Sequence, residues 1–235
     1  MGLEREHFLV YEGGPIFDRF APQAKRFLDA IDDPKWTYEL SAYQVESRIE
    51  PCVELEDVRS QLLANQTKGR KVAKNLGLQL VNREVAIHLD PLEVYPDPRY
   101  LEIAKNISRE KLDAASRVTG THIHIGTANI EQAIELNNAL LPKLDELCRM
   151  GDHSSGERLR LYKLMAEHWQ PVTYESPEHL FEVAREEGFT DNPRNCWKLI
   201  RISIHGTVEL RMLGSTDDIR EILEWVSFVK TQTPF

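Results

Sequence analysis

The sequence predicts one compact domain that mixes strands and helices, of the α/β or α+β class, and three observations carry that expectation. A chain of 235 residues, 41% hydrophobic and 29% charged, has material for one sizeable core, whereas two independent domains would each be small. The segment Leu199–Leu213 places Arg201, Ser203, His205, Thr207, Glu209 and Arg211 at alternate positions. Ile200, Ile202, Ile204, Val208, Leu210 and Met212 fall between them, with Gly206 in the middle; period two is a strand pattern. Several other stretches repeat apolar residues at helical spacing between capping residues, glycines and prolines. No internal repeat, low-complexity tract or linker divides the chain, so residues 1–235 are expected to form a single domain.

Taken in order, Leu3–Tyr11 reads as a first strand with Glu4 and Glu6 on one face. Gly13-Gly14-Pro15 is a turn, after which Ile16, Phe17, Phe20, Ala24, Phe27, Leu28 and Ile31 recur at roughly helical spacing, broken at Pro22. Trp36–Leu40 is a short strand leading into Glu39-Leu-Ser-Ala-Tyr-Gln-Val-Glu46, whose terminal carboxylates lie seven positions apart. A long amphipathic helix is expected over 54–76 on Val58, Leu62, Leu63, Val72 and Leu76, with Gly77 as its stop.

Leu78–Leu89 alternates as a strand, and the three prolines within 90–100 exclude regular structure over much of that stretch. A helix then runs from about Arg99 to Val118 with Tyr100, Ile103, Ile107, Leu112 and Ala115 inward. Within Thr119–Gly126 a strand places His122 and His124 on one face and Ile123 and Ile125 on the other. Asn129 caps a helix to about Cys148, kinked at Pro142, and the loop 152–156 precedes a short basic helix with Arg158, Arg160 and Lys163. Ser176-Pro177 opens a further helix that ends at Gly188.

The segment 199–213 is either one long strand or a hairpin: if Gly206 turns the chain, a three-residue loop at His205–Thr207 pairs Ser203 with Glu209 and Arg201 with Arg211 and keeps the faces matched, whereas a two-residue turn mixes them. Ser215 or Thr216 opens the last helix, with Asp217 and Asp218 at its positive end and Ile219, Ile222, Leu223, Val226 and Val229 as its core stripe.

Composition narrows the function. A net charge of −9 argues against a general nucleic-acid or anionic-membrane binder, because phosphate recognition relies on clustered cations. A small anionic ligand remains compatible, above all if metal ions mediate the contact. Cys52, Cys148 and Cys196 are odd in number and scattered, which points to a reducing, cytoplasmic setting rather than a disulfide framework. No apolar run approaches the ~20 residues that cross a bilayer. The start, Met-Gly-Leu-Glu-Arg-Glu-His, is too charged for a signal-peptide core and lacks a myristoylation signal.

Collected by face, Glu4, Glu6, Glu39, Glu46, His122 and Glu209 make a set of five carboxylates and an imidazole, with Arg211 beyond the last. Singly, each has a plain reading as a solvated strand residue. Gathered in an interior, they repel one another unless cations offset the charge. Oxygen-rich ligation with few nitrogens and no thiolate selects a hard ion, magnesium or manganese. The expectation is a metal-bridged phosphate site.

The pattern and its order resemble the glutamate–cysteine ligase type of carboxylate–amine ligase, within the wider glutamine synthetase-like superfamily. The resemblance rests on Gly2-Leu-Glu-Arg-Glu-His-Phe-Leu, Glu39-Leu-Ser-Ala-Tyr-Gln-Val-Glu46, Asp97-Pro-Arg-Tyr100, Gly120-Thr-His-Ile-His-Ile-Gly126 and Gly206-Thr-Val-Glu-Leu-Arg211. It implies an α+β fold: a curved, mainly antiparallel sheet flanked by helices, like the glutamine synthetase catalytic domain. It implies ATP and Mg2+ (or Mn2+) as cofactors, small-molecule acid and amine substrates, and transfer of the ATP γ-phosphoryl group to a carboxylate before an amine attacks.

By the same resemblance, Glu4, His122 and Glu209 match the ligands of the ion nearest the transferred phosphoryl group, and Glu6, Glu39 and Glu46 those of the ion nearest the substrate. Arg211 matches the arginine that contacts the phosphoryl group or the acid, and with Glu209 forms the expected catalytic pair. Arg201, added from the face argument, and His124 join Arg211 as candidate cofactor-binding residues. No nucleic-acid or membrane partner is expected, and a homo-oligomer stays open.

The chain is shorter than typical members, partly between Cys148 and Trp197, where the family's serine–arginine segment is echoed by Ser154-Ser-Gly-Glu-Arg-Leu-Arg160. That shortening keeps a second reading in view, a non-catalytic nucleotide- or amino-acid-binding relative acting through a partner. A metal-dependent hydrolase is a third, disfavoured because His122 and His124 lack the other nitrogen or thiolate ligands usual for zinc.

Overall fold

A computed structural model of the chain describes residues 1–13, 19–203 and 206–234. Its organising strand is β1 (Gly2–Tyr11), whose ten residues span about 33 Å, enough to take two neighbours on one edge. There β5 (Thr121–Gly126) pairs with Gly2–Arg5 and β4 (Leu78–Val81) with Phe8–Tyr11, while β3 (Gln44–Arg48) lines the other edge over Glu4–Phe8. β2 (Trp36–Tyr38) adds beyond β3, and β7 (Thr207–Leu210) then β6 (Ile200–Ile202) add beyond β5. The order is β2-β3-β1-β5-β7-β6 with β4 beside β1, and every pairing is antiparallel. This is the expected α+β, mainly antiparallel architecture.

The α-helices among the described residues are α1 (Ala24–Ile31), α2 (Leu55–Asn75), α3 (Pro98–Asn106), α4 (Arg109–Ser116), α5 (Ile130–Leu140), α6 (Leu144–Met150), α7 (Glu157–Met165), α8 (Pro177–Glu186) and α9 (Ile219–Thr231). One sheet face carries Leu3, Ile123, Ile125, Ile200, Val208 and Leu210. These pack against Val58 and Leu62 of α2, Leu136 and Leu140 of α5, and Ile222, Trp225, Val226 and Val229 of α9. At the far end of β1, Leu9, Val45, Leu78 and Leu80 close on Phe27 and Ile31 of α1 and Ala73 of α2. Because side chains alternate along each strand, burying this face leaves the other, with its acidic and basic residues, to form a cup.

Several expected elements are corrected. The strand expected over Leu78–Leu89 stops at Val81, because Phe8↔Val81 is its last pairing and β5 occupies the edge of β1 from Arg5 onward. The helix expected from Arg99 to Val118 is two, α3 and α4: Ile107 and Ser108 are extended, and the Ser108 hydroxyl caps α4 by accepting from Lys111 N–H. α3 buries none of its residues, so Tyr100 and Ile103 do not enter the core. Phe20 makes an isolated bridge to Val10 rather than a helical turn.

The final helix is capped by Asp218, which accepts from Arg220 N–H; Ser215 is buried and donates to Glu6 O at 2.8 Å instead. Between β6 and β7 the register is shifted by two residues from the expected one, pairing Arg201 with Glu209 instead of Arg211, and Ser203 N–H donates to Thr207 O at 2.8 Å. That register sets opposite charges across the pair where the expected one opposed two arginines, and it preserves parity, so the faces are as expected. The turn read at Gly13-Gly14-Pro15, Ile16 and Phe17 in the first helix, and Ile204 and His205 at the hairpin fall wholly or partly outside the described residues.

Candidate active site

The cup's floor is built by strand register. Glu6 of β1 lies opposite Glu46 of β3, Glu4 opposite His122 of β5, His124 opposite Glu209 of β7, and Glu209 opposite Arg201 of β6. Directly opposed carboxylates such as Glu6 and Glu46 destabilise a sheet unless something positive lies between them. Glu39 enters from the segment joining β2 and β3, and Arg211 follows β7 directly. All nine residues singled out from the sequence (Glu4, Glu6, Glu39, Glu46, His122, His124, Arg201, Glu209 and Arg211) line one cavity of about 470 Å³.

Three overlapping sets bring their ligand atoms within 4.8 Å of one another: Glu6 with Glu39 and Glu46, Glu4 with Glu46 and His122, and Glu4 with His124 and Glu209. His122 Nδ1 is 3.5 Å from Glu4 Oε2 and 3.8 Å from Glu209 Oε1, and its Nε2 is 3.8 Å from Glu6 Oε1. His124 Nε2 is 3.2 Å from Glu4 Oε2. His122 Nδ1 and His124 Nε2 are both buried and neither makes a hydrogen bond, despite these short separations. Imidazole nitrogens turned toward carboxylate oxygens without bonding to them suit a shared cation. The oxygen-rich donor set fits a hard divalent ion such as Mg2+ or Mn2+.

The electrostatics agree. Burial first, then the neighbouring Glu39, pushes the Glu6 carboxyl up to about 8 against the pull of Arg158 and Arg211. Burial raises Glu46 well above the usual range, with Glu4, Glu39 and Glu6 adding to it, and burial also raises Glu39. Burial lowers His122 to about 4, so its imidazole is neutral, the form that ligates metal. Glu209 behaves oppositely: burial would raise it, but Arg211 and Arg201 hold it at about 2. Glu4 likewise overcomes burial and sits below the usual range because the imidazoles of His122 and His124 adjoin it. Arg201 Nε and Arg211 Nη1 donate to the two Glu209 oxygens at 2.7 and 2.5 Å.

The model of glutamate–cysteine ligase family 2 matches residues 1–144, well over half of the chain. The chain belongs to this family. A curated relative in Frankia alni (strain DSM 45986 / CECT 9034 / ACN14a), provisionally named glutamate–cysteine ligase 2-3, is 25% identical over 224 residues. The alignment covers 87% of this chain and 26% of the relative, so the chain spans about a quarter of that protein's length. Among solved structures, a bifunctional glutathione synthetase from Pasteurella multocida superposes with a TM-score of 0.64 at 13% identity, over 99% of this chain and 37% of its own. That likeness is one of fold. The family match ends inside the long helical region after β5, so Glu209 and Arg211 come from sequence beyond it and are brought to the cup's acidic floor by the β5–β7 pairing.

Sequence reasoning missed part of the wall. Arg158 looks like a solvated residue of a basic helix, yet it is 3% exposed and donates to the carbonyls of Thr119, Met212 and Arg211. Tyr162 and Trp197 also line the cavity, as do Arg99 and Tyr100, which the resemblance included without a role. One signal was available for Arg158 and Tyr162: they stand four apart on α7, so one face carries both.

Proposed function

We infer that the protein is an ATP- and magnesium-dependent carboxylate–amine ligase, which activates a carboxylate, glutamate or a similar acid, as an acyl phosphate and joins it to an amine. The observation that carries this reading is the convergence of five carboxylates, two imidazoles and two arginines, from five strands and the segments beside β2 and β7 of a family 2 chain, onto one cavity. A carboxylate is a poor electrophile at neutral pH, so some activation must precede attack by an amine. Glu6, Glu39 and Glu46 would hold one magnesium ion and Glu4, His122 and Glu209 the other, with His124 within reach of the second set. When bound, the ions offset the negative charge of nucleotide and acid.

The chain's own groups do the rest. Arg211 faces the cavity as a fixed cation able to meet the oxygens of a phosphoryl group or acid, and Arg201, through Glu209, keeps it in register. Glu6 and Glu46 are raised first by burial and then by neighbouring carboxylates, an environment that a divalent cation would relieve. No covalent enzyme intermediate is needed: Cys52, Cys148 and Cys196 are absent from the cavity wall, and burial raises all three thiols, Cys148 to about 11.

The test is calorimetric titration with Mg-ATP, followed by ADP and phosphate release across a panel of acids and amines. Release that requires both an acid and an amine is the expected result. Tight Mg-ATP binding without turnover supports the non-catalytic alternative, and failure to bind Mg-ATP overturns the reading.

A further inference from the structure

α7 runs along the cup with Arg158 and Tyr162 one turn apart, both buried, and both hold Arg211. Arg158 Nη2 donates to the Arg211 carbonyl at 3.1 Å, while its Nε and Nη1 donate to Thr119 O at 2.7 Å and Met212 O at 2.9 Å. Those bonds tie the start of β5 to the end of β7. Its guanidinium lies hard against Gly120: a Cβ there would sit 2.1 Å from Arg158 Nη2, so only glycine leaves it room.

The Tyr162 hydroxyl donates its single proton to Trp197 O at 2.9 Å and accepts from Arg211 Nε at 3.0 Å. With that proton committed to a carbonyl, the oxygen can meet Arg211 only as an acceptor. The Trp197 ring supports the same guanidinium, its centroid 5.6 Å from Arg211 Cζ. Since Nη1 is taken by Glu209, two of the three guanidinium nitrogens are held, and two fixed points set the plane of a planar group.

The geometry points to Tyr162 as a positioning residue that aims the Arg211 guanidinium into the cavity, with Arg158 fixing the Arg211 backbone from the same helix. The consequence for turnover rests on the ligase reading; the hydrogen bond does not. In the wild-type protein the Arg211 Nε–H resonance, assigned by its loss in Arg211→Lys, is expected to exchange with solvent at least about tenfold more slowly than that of an exposed arginine. Exchange at the exposed rate overturns the inference without any Tyr162 variant.

Tyr162→Phe keeps the ring and its packing while removing the bond. It is expected to speed Arg211 Nε–H exchange about tenfold and to lower kcat about tenfold, with KM for Mg-ATP shifted less than about threefold. A merely structural tyrosine would lower the urea midpoint and leave the exchange of that one proton and kcat unchanged, which overturns the inference, as does a fall in kcat with exchange unaltered. Faster exchange in the variant of a protein that neither binds nor turns over Mg-ATP upholds the positioning and removes the ligase reading.

Discussion

Glu209 is the side chain on which the site's charge balance turns. It is 1% exposed, its two oxygens are taken by Arg201 and Arg211, and it lies opposite His124 across the β5–β7 pair. Glu209→Ala is therefore predicted to destabilise the protein by about 3 kcal/mol in urea unfolding, because it leaves two largely buried guanidinium groups uncompensated. A solvated strand residue would shift stability by under ~0.5 kcal/mol. Glu209→Gln, which keeps the volume, is predicted to weaken Mn2+ binding at least tenfold, read by electron paramagnetic resonance. His122→Ala is predicted to weaken Mn2+ binding likewise, by removing a neutral imidazole nitrogen that is buried and without a hydrogen bond. Singly, residues of this kind read as solvated strand positions; they were visible in the sequence because together, and in order, they resemble a known ligand set. Arg158 was not, since a basic residue on a short helix looks solvated until its burial is known.

Helix α2 shows what a close approach between elements demands. A Cβ added at Gly69 would come within 2.5 Å of Trp36 Cη2 and 2.8 Å of Leu80 Cδ2, both ring and branch being locked in the core beside α1. Helix propensity alone would favour Gly69→Ala by about 1 kcal/mol. Overpacking is predicted to outweigh that gain and produce a net loss of about 1–2 kcal/mol in urea unfolding; a stabilised variant would show that the helix can move away from the sheet. The helices α2, α5, α8 and α9 were legible from their local apolar period, and α5 and α8 from their caps as well, whereas the α9 cap was read two to three residues early. Strand lengths were not: β4 ends at Val81 because β5 claims the rest of the β1 edge, which depends on a segment some forty residues away. The β6–β7 register sets Arg201 against Glu209, an attraction that apolar alternation does not contain.

For the molecule entire, the acidic floor predicts how pH and metal interact. The Glu6 carboxyl is raised to about 8 and Glu46 is raised well above the usual range, so in the metal-free protein they bind protons that the unfolded chain releases near 4.5. Through these two groups the native state holds more protons than the unfolded one and loses stability as pH rises from about 4.5 to 8, while His122 and His7, both lowered by burial, work the other way up to the usual histidine value of 6.5. Glu4 and Glu209, held low, act below that window, losing their contribution as pH falls. Thermal melts without metal are therefore predicted to show stability declining across pH 6.5–8, above the histidine window, and added Mg2+ is predicted to raise the midpoint most at the upper end. A midpoint that is flat with pH and indifferent to Mg2+ would remove the case for a cation between Glu6 and Glu46.

Local pattern was enough to establish that Glu4 and Glu6 share a face, that His122 and His124 share another, and that helices flank the strands, because alternation, capping and helical period are short-range consequences of backbone geometry. Nothing local could bring those faces together. Glu4 and Glu209 stand at opposite ends of the chain, and they meet because β5 pairs with β1 on one edge and β7 on the other, burying the Leu3, Ile123 and Leu210 side of the sheet against α2, α5 and α9. Strand order and register are settled by that shared burial and by charge pairing across strands, and so the cup, the reach of Arg158 and the orientation of Arg211 exist only once the chain has folded.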